Sequence, residues 1–196
     1  SFVGADGQTH NIGGSFFNDT SSNFTSASST FNFTATTTGK GITQDSNSTL
    51  QFSELNFIGV GGGWNLTADL EIVGNMTVAT GTVTGTNNIT LVNGDLTGDG
   101  LLSLGGGTTT LETSNTLGGT QGWTFYDLVL GDGATTSTTT RASVATTTVS
   151  NQLVISSGHT LDAGSSAWNL SGTGEVFIED GVFAEGTGTV LYSGNG

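Results

Sequence analysis

One short alternation recurs along the chain: Leu70-Glu71-Ile72, Met76-Thr77-Val78, Ile89-Thr90-Leu91, Leu102-Ser103-Leu104, Leu153-Val154-Ile155 and Trp168-Asn169-Leu170, with Phe177-Ile178 as a shorter relative. Each triplet puts two apolar side chains on one face of a strand and a different residue on the other. Gly74-Asn75, Asn93-Gly94, Gly131-Asp132-Gly133 and Gly158-His159 stand between such segments and supply the left-handed conformations that corners need. Strands of about three to six residues are not stable as isolated pairs, so the apolar face must be completed by stacking successive turns of chain. The expectation is an all-β fold: a β-solenoid, a parallel β-helix-like stack of short strands without significant helix.

Composition agrees. The 196 residues include 33 Gly, no Pro and no Cys. That much Gly disfavours long helices, and the absence of Pro leaves strand ladders uninterrupted. Runs at Thr36 to Thr38, Thr108 to Thr110, Thr138 to Thr140 and Thr146 to Thr148 suit exposed strand faces. The core expected from the alternation comprises Leu70, Ile72, Val78, Ile89, Leu91, Leu104, Leu153, Ile155, Leu170 and Ile178.

Sixteen acidic residues face only Lys40 and Arg141, a formal net charge of −14. Two cations cannot line a groove for phosphates, so nucleic acid is excluded as a partner. No apolar stretch approaches membrane-spanning length, so membrane insertion is not expected. An acidic, hydroxyl-rich surface suits an extracellular protein, and the lack of Cys removes thiol and disulfide chemistry.

Longer self-similarity accompanies the alternation. Residues 70–78 reappear as 153–161, and Phe52-Ser53-Glu54-Leu55-Asn56-Phe57 reappears as Phe125-Tyr126-Asp127-Leu128-Val129-Leu130. The whole of 1–196 reads as one repeat-built domain, with repeats starting near 1, 49 and 109 and the next opening near 189. The closing Val190-Leu191-Tyr192-Ser193-Gly194 has the phase of the opening Ser1-Phe2-Val3-Gly4.

Chemistry-bearing residues are few. Asn93-Gly94-Asp95-Leu96-Thr97-Gly98-Asp99 spaces oxygen ligands around a glycine turn, which makes Asp95 and Asp99 candidate Ca²⁺ ligands; ordinary turn chemistry is the other reading. No other cofactor is called for. His10 and His159 sit in Gly-rich corners and read as surface-turn residues. Two isolated His and no Cys leave few ways to activate a nucleophile, so no catalytic centre is expected. Carboxylates alone could still hydrolyse glycosides, and Asp95 with Asp99, Glu175 with Glu179 and Asp180, and Asp127 with Asp132 are the candidate pairs.

Asn18, Asn23, Asn32, Asn47, Asn65, Asn75, Asn88 and Asn169 each precede x-Ser/Thr and are candidate N-glycosylation sites. In six of them the middle residue is Phe24, Phe33, Leu66, Met76, Ile89 or Leu170, which turns inward and leaves an outward Asn; a sugar-free Asn ladder explains them equally. Trp64, Trp123 and Trp168 read as core residues by their apolar alternation, with an exposed sugar-stacking strip as the alternative.

The phrase Phe2-Val3-Gly4, then Gln8-Thr9-His10-Asn11-Ile12-Gly13-Gly14, then Phe17-Asn18-Asp19, followed by paired Leu-x-Ile strands, resembles the Gly/Thr-rich repeats of very large secreted surface proteins of bacteria and archaea. That resemblance implies an extracellular structural or adhesive role. The expected function is a non-enzymatic subunit of a cell-surface filament, sheath or stalk. Identical copies would join head to tail through Phe2, Phe16 and Phe17 at one end and Val190, Leu191 and Tyr192 at the other. The alternatives are an adhesin segment that recognises surface glycans and a polysaccharide-processing β-helix.

Overall fold

The computed structural model describes residues 6–18, 24–45, 49–142 and 145–194. Among them the chain forms strands and no helix, wound as a β-solenoid of about eight turns. The first coil is β1 (Thr9–Ile12), β2 (Phe16–Asn18) and β3 (Phe24–Thr25); the second is β4 (Thr30–Phe33), β5 (Lys40–Gln44) and β6 (Leu50–Phe52). There follow β7 (Glu54–Phe57), β8 (Gly63–Leu66) and β9 (Leu70–Ile72), then β10 (Met76–Val78), β11 (Thr82–Gly85) and β12 (Ile89–Leu91). The fifth coil is β13 (Leu96–Thr97), β14 (Leu101–Leu104) and β15 (Thr108–Leu111), and the sixth is β16 (Asn115–Gly118) with the long β17 (Trp123–Leu130). β18 (Ser137–Arg141) and the long β19 (Thr147–Ile155) make the seventh. β20 (His159–Asp162), β21 (Ala167–Leu170) and β22 (Phe177–Glu179) make the eighth, and β23 (Val182–Ala184) and β24 (Thr189–Tyr192) begin a ninth.

Every pairing is parallel, and strands stack coil on coil into three faces. The first face runs β1-β4-β7-β10-β13-β16-β18-β20-β23. The second and third are separate through the first five coils. They fuse at β17 and β19, where one strand turns the corner without a break and the register slips between Phe125 and Asp127. The coil length varies: Leu96 is opposite Met76, 20 residues on, whereas Thr139 is opposite Asn115, 24 residues on. Position 49 immediately precedes β6 and position 109 lies within β15, equivalent third-face strands three coils apart, while 189 opens a second-face strand.

Parallel register turns the alternation into columns. On the second face the inward column starts at Phe16, passes through Ile42 and Leu66, and ends through Val149 and Leu170 at Tyr192. On the third, Phe24, Leu50, Leu70 and Ile89 lead by way of Leu128 and Leu153 to Phe177. The interior is one continuous core that includes all three Trp. Of the residues expected inside, all but Ile178 are buried. Ile178 is half-buried and opposite the outward Val154, because Phe177 takes the inward place beside Leu153.

The Thr runs are not simply exposed. Thr109, Thr139 and Thr147 are buried, since three Thr in a row on a strand must send at least one side chain inward. Corners are as tight as backbone allows. Gly98, at φ +136°, lies against the Val78 carbonyl, and a Cβ on Gly119 would overlap the Gly98 carbonyl.

Candidate functional site

The outer surface is ordered by hydrogen bonds between coils. On the first face Asn32 Nδ2 donates to Asn11 Oδ1 at 3.0 Å, and Asn56 Nδ2 donates to Asn32 Oδ1 at 3.0 Å. The same device recurs at every outward sequon Asn among the described residues. Asn65 Oδ1 accepts from Thr84 Oγ1 at 3.4 Å, and Asn75 Oδ1 from the Asp95 amide at 2.7 Å. Asn88 Oδ1 accepts from the Thr108 amide at 2.9 Å, and Asn169 Oδ1 from Ser193 Oγ at 2.7 Å. Each carboxamide oxygen thus receives a donor from the coil above. Asn18 ends β2 opposite Gln44, and Asn23 and Asn47 lie outside the described residues. The alternation places these Asn outward and does not specify their partners. A spacing of 19 to 24 residues to a donor is the signal that finds them.

Asp95 belongs to the same system. Its amide donates to Asn75, and its Oδ1 accepts from the Thr116 amide at 2.6 Å, so it links three coils at one corner. Asp99 is exposed on the next turn. Among the described residues no group of three or more His, Cys, Asp or Glu converges as metal ligands would. Three of the other candidate carboxylates also accept hydrogen bonds. Asp127 accepts from Asn151 Nδ2 at 2.6 Å, and Glu179 from the Phe183 amide at 3.0 Å. Asp132 caps its own turn through the Ala134 and Thr135 amides, which hold its carboxyl below the usual range.

The histidines correct the surface-turn reading. His159 is fully buried on the first face, with Ser137 Oγ 2.6 Å from Nδ1 and Thr139 Oγ1 2.8 Å from Nε2. Its position opens β20, where the inward phase has begun, so the imidazole enters the core and two buried hydroxyls satisfy it. Desolvation lowers its pKa from 6.5, against an opposing pull from Asp132. His10 is half-buried, its ring 4.6 Å from that of Phe31.

Arg141 is inward too. It is 4 % exposed, donates to the Leu117 carbonyl at 2.8 Å and the Ala145 carbonyl at 3.2 Å, and desolvation lowers its pKa to about 10. Of the two cations, Lys40 alone reaches the surface, beside a shallow hollow of about 370 Å³ lined by Thr38, Asn65, Thr82 and Thr84. Trp64, Trp123 and Trp168 are each 1 % exposed, so none offers a ring face to a sugar.

The two ends of the stack differ from its middle. At the start, His10, Ile12, Phe16, Phe17, Phe24 and Phe31 line an apolar recess of about 320 Å³. Phe16 is only half-buried, and it meets Phe24 edge-on at 5.0 Å. At the finish, Val176, Phe177, Phe183 and Val190 pack against the core without being buried, and Tyr192 is 56 % exposed in an inward column. Phe17 and Leu191 point outward from β2 and β24, at 58 % and 56 % exposure. Phe2 lies outside the described residues.

No family model matches this chain, and no curated protein or solved structure matches it either.

Proposed function

We propose that this chain is a non-enzymatic structural subunit of an extracellular cell-surface filament, sheath or stalk. Identical copies stack head to tail so that the last coil of one is continued by the first coil of the next. The observation that carries the reading is the common column of Phe16 and Tyr192: both are inward positions of the second face, and both are aromatic side chains left partly uncovered at opposite ends. Phe24 and Phe177 share the inward column of the third face, Phe24 buried at its start and Phe177 half-buried at its finish.

An inward aromatic column that continues from one copy to the next buries apolar surface, and the strand edges of β23 and β24 gain partners from β1 and β2 of the following copy. The contact is heterologous and leaves a free end after each addition, so it extends into a fibre. An acidic exterior with a single exposed cation disfavours lateral clumping of such fibres. The glycan-recognition alternative rests on exposed Trp and Asn side chains, and of these the three Trp are buried.

Negative-stain microscopy of the purified protein tests the proposal. The expected result is fibres from the native chain and dispersed particles from Phe16→Asp and Tyr192→Asp. Dispersed native particles, or fibres unchanged in both variants, contradict it.

A further inference from the structure

One corner of the solenoid holds a buried cation together with donors that lack acceptors. Arg141 closes β18 in the inward column that contains Leu117, and among the described residues it donates to two carbonyls, those of Leu117 and Ala145. Its Nε is buried and unpartnered. Six residues on, at the start of β19, Thr147 Oγ1 is buried and unpartnered as well. Thr147 is in register with Trp168, whose Nε1 is the third such group.

Trp123 is the counterpart of Trp168 on the neighbouring coils. The two Trp share a column, with Thr147 between them. Trp123 Nε1 donates at 2.9 Å to the carbonyl of Gly100, two residues before its column neighbour Leu102. The equivalent carbonyl for Trp168 is that of Ala145, two residues before Thr147, which accepts from Arg141 Nη2 at 3.2 Å. Trp64 Nε1 also lacks a partner, so an unpartnered indole alone marks nothing. What distinguishes the Trp168 corner is the register that sets Thr147 against Trp168 and the Ala145 carbonyl, two residues before Thr147, that Arg141 reaches.

Donors without acceptors around a buried positive charge are costly unless something negative completes them. We propose that this corner binds a small monovalent anion, a halide such as chloride, held by Arg141 Nε, Thr147 Oγ1 and Trp168 Nε1. A guanidinium N–H, a hydroxyl and an indole N–H all donate, and a halide accepts from several directions at once. Water is the competing occupant, because Asn115 Oδ1, unpartnered on the coil below, could take one of its protons.

Bromide is the probe. Crystals soaked in sodium bromide should give an anomalous peak within hydrogen-bond reach of Arg141 Nε and Trp168 Nε1. In solution, the thermal midpoint should rise as chloride replaces gluconate at constant ionic strength. Thr147→Val keeps the side-chain volume and Trp168→Phe keeps an aromatic ring but loses some packing; each removes one donor and should raise the chloride concentration for half-maximal stabilisation about tenfold. A water at the corner with no bromide peak, or equal stability in chloride and gluconate, overturns the site.

Discussion

Ser137 Oγ lies 2.6 Å from Nδ1 of His159, on neighbouring coils and inside the core. Burial keeps the imidazole neutral and holds its pKa below 6.5, so as pH falls the unfolded chain takes up this proton before the folded one does. The contribution to stability is complete above about pH 6.5 and is lost as pH drops through the folded-state value. Denaturation midpoints measured from pH 8 to pH 5 should fall in that window. His159→Gln should flatten the decline; an unchanged slope in that variant assigns the pH dependence to other groups.

The Asn ladder makes a second prediction. Asn32 accepts from Asn56 and donates to Asn11, so Asn32→Ala breaks two inter-coil bonds at once. A loss of about 1–2 kcal/mol by urea titration is expected from two partly exposed hydrogen bonds. No measurable change would mean that the ladder only decorates the surface.

Corner packing makes a third. Gly119→Ala drives a methyl into the Gly98 carbonyl and should cost about 3 kcal/mol or prevent folding, whereas Gly14→Ala meets nothing within 4 Å and should be near neutral. Equal thermal midpoints for the two variants would show that the corners are looser than described.

Much of the fold was legible because inward positions must alternate. Leu70 to Val78 and Leu153 to Leu161 occupy equivalent places, third face then first face, four coils apart. The same rule is blind to which face a segment belongs to. Phe52 lies on the third face and Phe125 on the second, although their surroundings read alike in sequence. Phase fails where both neighbours are apolar, as at Phe177 and Ile178, and where a polar residue takes an inward position, as His159 and Arg141 do. Their partners lie 20 to 24 residues away, a distance that shifts with each corner. The Asn rows were visible as outward residues, but the donors above them depend on that same variable coil length.

The central claim is that one coil stack runs unbroken through successive copies. Among the described residues the first face has nine strands, so copies of this chain stacked end to end at about 4.8 Å per strand would repeat about every 43 Å along the axis. Helical reconstruction of the fibres by electron cryomicroscopy measures that rise directly. The account predicts about 43 Å, with strand separation along the fibre axis and Tyr192 packed over Phe16 of the next copy. A rise set by side-by-side packing, with strands stacked across the axis, would contradict it.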